Sequence, residues 1–247
     1  MSTTNDQDSS VFPVTRWTLV GHLKEPGESG IMARRALDQL CSAYWYPLYV
    51  YARRFGLDED AAKDAVQDLF AELIEGNRMA LADAARGKLR NFLLAALKNV
   101  ISHNRERDRA QKRGGGQVLE SLDLTDAEGR FLTEPETAEA DPERAFERKW
   151  ALQLLESTKV ALRNVYVRDG KGPLFDLLSP ALSEGDRWQG HAQAAESLGM
   201  NEGTVRVALS RLRKRYAETL RDQVAITVGD DGDVKAELGY LMSLFGS

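Results

Sequence analysis

Apolar residues recur at three- and four-residue steps along most of this chain, a period that predicts helices. From Ile31 the series Leu37, Leu40, Cys41, Tyr44, Leu48 and Tyr51 marks a long helix, closed by Phe55-Gly56-Leu57 and expected to kink or break near Trp45 because of Pro47. Tyr44, Trp45, Tyr46, Tyr49 and Tyr51 follow the same spacing, so core packing is preferred for them over base stacking. Val66, Leu69, Phe70, Leu73 and Ile74 form a second stripe, in a helix starting at Asp58 or Asp60. The most regular stripe is Leu89, Phe92, Leu93, Ala96, Leu97, Val100 and Ile101, in a helix that continues to Arg113. Helices resume at Glu143 with Phe146, Trp150, Leu154, Leu155, Leu162 and Val165, and Phe175, Leu177, Leu178 and Leu182 predict a short helix within 169–190.

The ends are less regular. Residues 1–10 are polar, and a first helix carrying Trp17, Leu19 and Val20, capped by Thr15, is broken by Gly21 and Pro26-Gly27. Near the other end Val224, Ile226 and Val228 alternate and 229–232 turn the chain. Val234, Leu238, Leu241, Met242 and Phe245 then repeat as an amphipathic helix, expected to cover the C-terminal domain, with docking of a regulator as the alternative.

The expectation is an all-α fold of two helical domains joined by an acidic linker. Its parts are an N-terminal arm (1–30), a first domain (31–113), the linker (114–142), a second domain (143–222) and a C-terminal extension (223–247). A chain of 247 residues with 43% hydrophobic content can bury one large core or two modest ones. The net charge of -5 conceals segregation. Residues 86–113 hold nine Lys or Arg against Glu106 and Asp108, whereas 114–147 hold ten acids against Arg130 and Arg144. Such alternation suits a nucleic-acid-binding protein whose acids limit non-specific adhesion.

Chemistry of other kinds finds little support. The single Cys41 excludes a disulfide framework and a multi-cysteine zinc site, and the three histidines lack metal-ligand spacing, so no metal, cofactor or catalytic residue is assigned. No apolar run approaches the ~20 residues that span a bilayer, and the N-terminus lacks a secretion signal, which predicts a cytoplasmic protein and no membrane partner.

One stretch, 190–221, combines spacing, turn chemistry and charge. A helix over 191–198 stops at Gly199, Asn201 caps a second one, and Val205, Leu209 and Leu212 form its apolar stripe. Ala195 is small enough for two helices to cross closely, which is helix-turn-helix geometry. The second helix carries Arg206, Arg211, Arg213, Lys214, Arg215 and Arg221 against Glu218. Thr204 and Arg206 lie in its first turn, away from the stripe, where base-reading residues sit in recognition helices. Helical hairpins and basic solvated faces are also common in proteins that bind no DNA.

The run AAESLGMNEGTVRVALSRLRKRY resembles the promoter-binding helix-turn-helix of extracytoplasmic-function sigma factors, the small specificity subunits of RNA polymerase. Its core reads Leu198-Gly199-Met200-Asn201-Glu202-Gly203-Thr204-Val205; His191, Gln193 and Ala194 depart from the Tyr, Glu and Ile or Val usual there. The resemblance implies that Thr204, Arg206, Ser210, Arg211 and Lys214 contact the minus-thirty-five element. DAVQDLFAELIE, residues 64–75, is similar to the segment that docks on the clamp helices of the polymerase, which implies contacts by Asp64, Gln67, Asp68 and Phe70. The basic helix resembles the segment that melts the minus-ten element, which implies roles for Arg90, Asn91, Lys98, Asn99, Ser102 and Arg105, with Asn99 beside a flipped base.

Together these imply a non-enzymatic promoter-specificity factor whose partners are RNA polymerase core, double-stranded promoter DNA, the melted non-template strand and, where one exists, an anti-sigma factor. The alternative is a free-standing helix-turn-helix transcriptional regulator that does not bind polymerase; it needs neither 64–75 nor the basic helix.

Overall fold

The computed structural model describes residues 30–74, 88–110, 127–133, 141–225, 227–228 and 233–245, and all regular structure among them is helical. In chain order the elements are α1 (Gly30–Arg54), α2 (Glu59–Ile74), α3 (Leu89–Ala110), α4 (Ala127–Thr133) and α5 (Pro142–Arg168). There follow α6 (Gly172–Leu178), α7 (Pro180–Glu184), a 3₁₀ turn (Gly185–Arg187), α8 (His191–Leu198), α9 (Glu202–Ala225) and α10 (Val234–Ser243). The helix expected around Trp17, the loop at 76–87, the end of the basic helix at 111–113, Ile226 and the turn at 229–232 lie outside the described residues.

α1 runs through Pro47 without the expected break. The proline forfeits its own hydrogen bond to the preceding turn, at roughly 3 kcal/mol. Tyr44, Leu48, Tyr49 and Tyr51 around it are no more than 2% exposed, and burial at about 1.5–3 kcal/mol per large side chain outweighs that cost. The aromatic run is core, with Trp45 and Tyr49 stacked at 5.3 Å. After Arg53 and Arg54 the helix closes as expected. Leu57 N–H reaches back to the Ala52 carbonyl (3.1 Å) and Gly56 N–H to that of Arg53 (3.1 Å), a closure that needs the positive φ of 99° at Gly56. Asp58 accepts from Ala61 N–H (2.8 Å) and starts α2.

Two hydrophobic clusters result, and they divide within a helix. The first gathers α1, α2 and α3 with Ala145, Phe146, Trp150, Ala151 and Leu154 of α5. The second gathers Leu162 and Tyr166 of the same helix with Phe175, Leu178, Ala181 and Trp188, and with α8 and α9. α5 is capped by Asp141, whose carboxylate accepts from Glu143 N–H (3.0 Å), and it has Pro142 in its first turn. Its 27 residues make a rod of about 40 Å. Buried Thr158 sits between the two clusters and bonds the Leu154 carbonyl (2.8 Å).

Two segments differ from expectation. Inside the stretch expected to be an acidic linker, α4 is helical and docked, with buried Ala127 and with Phe131 edge-on to Tyr49 at 6.3 Å. At the other end Val224 belongs to the last turn of α9 rather than to an alternating stretch, and it is buried in the first cluster together with Leu241 and Leu244 of the extension. The extension therefore covers the first cluster as well as the end of α9.

Candidate nucleic-acid interface

α8 and α9 meet through a three-residue connection, residues 199–201. Gly199 takes the left-handed conformation (φ 62°, ψ 32°), letting Met200 N–H bond the Ala195 carbonyl (2.9 Å) and Gly199 N–H that of Glu196 (3.2 Å). Asn201 then caps α9, its side-chain oxygen accepting from both the backbone N–H (2.8 Å) and the hydroxyl (3.1 Å) of Thr204. Val205, Leu209 and Leu212 face inward against Ala194 and Ala195, both small enough for the close approach. Tyr216 ties the pair to α5 through the Leu155 carbonyl (3.2 Å), and burial, with Glu156 nearby, pushes its hydroxyl up to about 12.

That packing turns Thr204, Arg206, Val207, Ser210, Arg211 and Lys214 outward. Glu202 holds Arg206 one turn away (3.2 Å), and Lys214 lies 4.0 Å from Glu218 with its side chain 79% exposed. Such exposed pairs contribute about 0–1 kcal/mol and are readily exchanged for a phosphate. Arg213 is committed elsewhere, donating to the Gly185 carbonyl (3.0 Å).

On α2, Asp64 is exposed and Gln67 half-buried. The Asp64 carboxyl is held above its usual range, first by partial burial and then by Asp68, Asp60 and Asp58. Asp68 is bridged to α3 by the Asn104 amide (2.9 Å). Phe70 is fully buried, so it supports α2 from within and presents nothing to a partner.

On α3, Asn91, Asn99, Ser102 and Arg105 are exposed, and Arg105 lies over the Phe55 ring at 4.8 Å. Lys98 is partly exposed and paired with Glu143 of α5. Arg90 departs from the sequence expectation: it is 2% exposed. Its guanidinium lies over the Trp150 ring (4.5 Å), pairs with Glu237 of α10, and comes within 3.8 Å of Glu147. The apolar stripe read around Leu93 and Leu97 is wide enough to draw an arginine at its edge beneath α5 and α10.

No family model, curated protein or solved structure matches the chain. Among the described residues no cluster of His, Cys, Asp and Glu could hold a metal ion, and no helix is long and apolar enough to cross a membrane.

The group around Glu237 was missed by sequence reasoning. Glu237, Lys88, Glu147 and Tyr240 join Arg90, the Tyr240 hydroxyl donating to Glu147 and Lys88 pairing with Glu237. A usable signal existed: Glu237 lies three residues after Val234 and four before Leu241, on the apolar side of its own helix. A carboxylate at such a position implies a cationic partner. Met242, assigned to the stripe, is 75% exposed instead.

Proposed function

We propose that this chain is a promoter-specificity subunit of extracytoplasmic-function sigma type, which binds RNA polymerase core and places it on promoter DNA without catalysing a reaction. The observation that supports the reading is the close pairing of α8 and α9 across residues 199–201. Its tightly closed turn at Gly199 and inward Val205, Leu209 and Leu212 leave Thr204, Arg206, Ser210, Arg211 and Lys214 on one outward face. In this reading Thr204, Arg206 and Ser210 face base edges of the minus-thirty-five element, while Arg211 and Lys214 meet phosphates. Thr204 donates its proton to Asn201, which leaves its oxygen lone pairs and methyl group for the groove.

The other surfaces follow the same scheme. Asp64 and Gln67 provide an acidic, amide-bearing contact for a basic coiled coil of the polymerase. Asn99 offers both a donor and an acceptor to an unstacked base, with Asn91, Lys98, Ser102 and Arg105 along the nearby strand. A template of this kind places the protein in the cytoplasm.

The deciding experiment incubates the tagged chain with core polymerase, isolates the complex and transcribes a pool of promoters. Retention of core with discrete start sites supports the proposal. Binding of duplex DNA without retention of core would instead favour a free-standing helix-turn-helix regulator.

A further inference from the structure

The cations of α3, together with Lys88 just before it, are those a nucleic acid would use, and they are not all free. Arg90 and Lys88 face Glu237, whose side chain is 0% exposed, and Lys98 faces Glu143. Around the first pair the charges balance: Lys88 and Arg90 against Glu237 and Glu147, enclosed by the rings of Trp150 and Tyr240. All three carboxylates come from helices outside the α1–α3 group, two from α5 and one from α10. From these placements we infer that α10 is an internal clasp, whose Glu237 carboxylate stands in for a nucleic-acid phosphate on Lys88 and Arg90 and must leave before α3 engages DNA fully. The inference rests on α3 being a DNA-contacting helix.

The chemistry makes the exchange feasible. A carboxylate and a phosphate offer the same pair of anionic oxygens to a guanidinium, so Arg90 trades one partner for the other without being left unpaired. A buried ion pair gives specificity of docking more than net stability, because desolvation offsets most of the attraction. Besides these charges, α10 is held mainly by Leu241 and Leu244, which are buried in the first cluster. It is 10 residues long with Gly239 in its middle, and Met242 and Phe245 remain exposed. Lys88 retains 37% side-chain exposure, so an incoming phosphate reaches it while Glu237 is still in place. The pair Lys98–Glu143 is exposed on both sides and opens at little cost.

The test uses the full chain, with Glu237→Gln and Glu237→Arg, and a fluorescein-labelled mixed-sequence single-stranded DNA oligonucleotide, polymerase absent. Circular dichroism checks folding, and hydrogen exchange at the α10 amides scores opening. The opened variants are expected to bind the oligonucleotide about tenfold more tightly, because a closed state lowers apparent affinity by the fraction open. Their salt slope should steepen by roughly 1.4, two phosphates at about 0.7 each on a single strand. In the parent chain, saturation with the oligonucleotide should remove protection from α10 while α1 keeps its own. Retained α10 protection at saturation overturns the clasp, whatever the variants do, and so do unchanged affinity and slope in a folded, opened variant. If the clasp fails while the parent still retains core polymerase and starts at promoters, the sigma reading stands. Loss of DNA and core binding alike overturns both.

Discussion

Arg53 grips Glu128 with two nitrogens at once, Nε at 3.0 Å and Nη2 at 2.6 Å, across 75 residues of chain. The Tyr49 hydroxyl donates to the same carboxylate, and Arg53 also reaches the Leu57 carbonyl at 2.7 Å. This bidentate contact fastens α4 to α1. Although burial raises the Glu128 carboxyl, the hydrogen bonds from Tyr49 and Arg53 outweigh it and hold the group below its usual 4.5. A depressed carboxylate contributes stability that is complete above the unfolded value and is lost as pH falls through the folded one.

Replacing Glu128 with Gln should therefore release α4 at neutral pH. Docking weakens by roughly 1–3 kcal/mol, the cost of stranding a part-buried donor. Hydrogen exchange at 127–133 should quicken about 5- to 150-fold, and the parent should come to match the variant as pH drops below 4.5. Equal protection in both proteins at pH 7 would show that Phe131 alone holds the helix.

Gly199→Ala should cost about 1 kcal/mol, read as a lower thermal midpoint with the fold kept. A Cβ at this site meets nothing within 4 Å, so the penalty is wholly that of a left-handed φ of 62°. Gly199→Asn should be milder, since asparagine tolerates that conformation better. A neutral alanine variant would mean that the connection between α8 and α9 is looser than drawn.

For Asp64 stability and binding should move in opposite directions. Its carboxyl is raised above 3.8 by burial and by Asp68, Asp60 and Asp58, so the ionised form is slightly unfavourable in the free chain. A raised acid reduces stability as pH climbs through its folded value. Asp64→Asn should raise the midpoint at pH 7 by no more than about half a kcal/mol, with the gain vanishing well below pH 3.8. Retention of core polymerase should fall at the same time; undiminished retention would remove Asp64 from the docking face.

Arg206→Ala and Lys214→Ala should fail in different ways. The first should flatten discrimination among minus-thirty-five sequences by roughly 1–3 kcal/mol, while the second weakens all sequences alike and lowers the salt slope by about one. Competition binding at two salt concentrations separates them. If both losses are sequence-independent, Arg206 touches backbone only.

Helix positions were legible wherever an apolar stripe ran for several turns, as in α3, or where a glycine closed a helix, as at Gly56 and Gly199. What escaped depended on contacts distant in sequence. Arg90 reads as a surface residue of α3 until α10, beginning at Val234, brings Glu237 onto it. The docking of α4 rests on one phenylalanine and one glutamate in an acidic stretch, too weak a local pattern to register. Pro47 argued for a break because the burial that overrides it comes from α5, about a hundred residues later. On the candidate faces, residue types were readable, but which cations were already occupied was not.

The sharing of α5 between two clusters has a consequence for synthesis. The first cluster starts with α1 but includes Phe146 and Trp150, then Val224, and finally Leu241 and Leu244. A ribosome adding roughly 5–20 residues per second needs about 10–40 s after Arg54 to deliver Leu244. Until then the apolar sides of α1 and α3 lack part of their cover, and a chain interrupted before α10 carries that surface uncovered. The cover of the first cluster is thus completed only when α10 has been made.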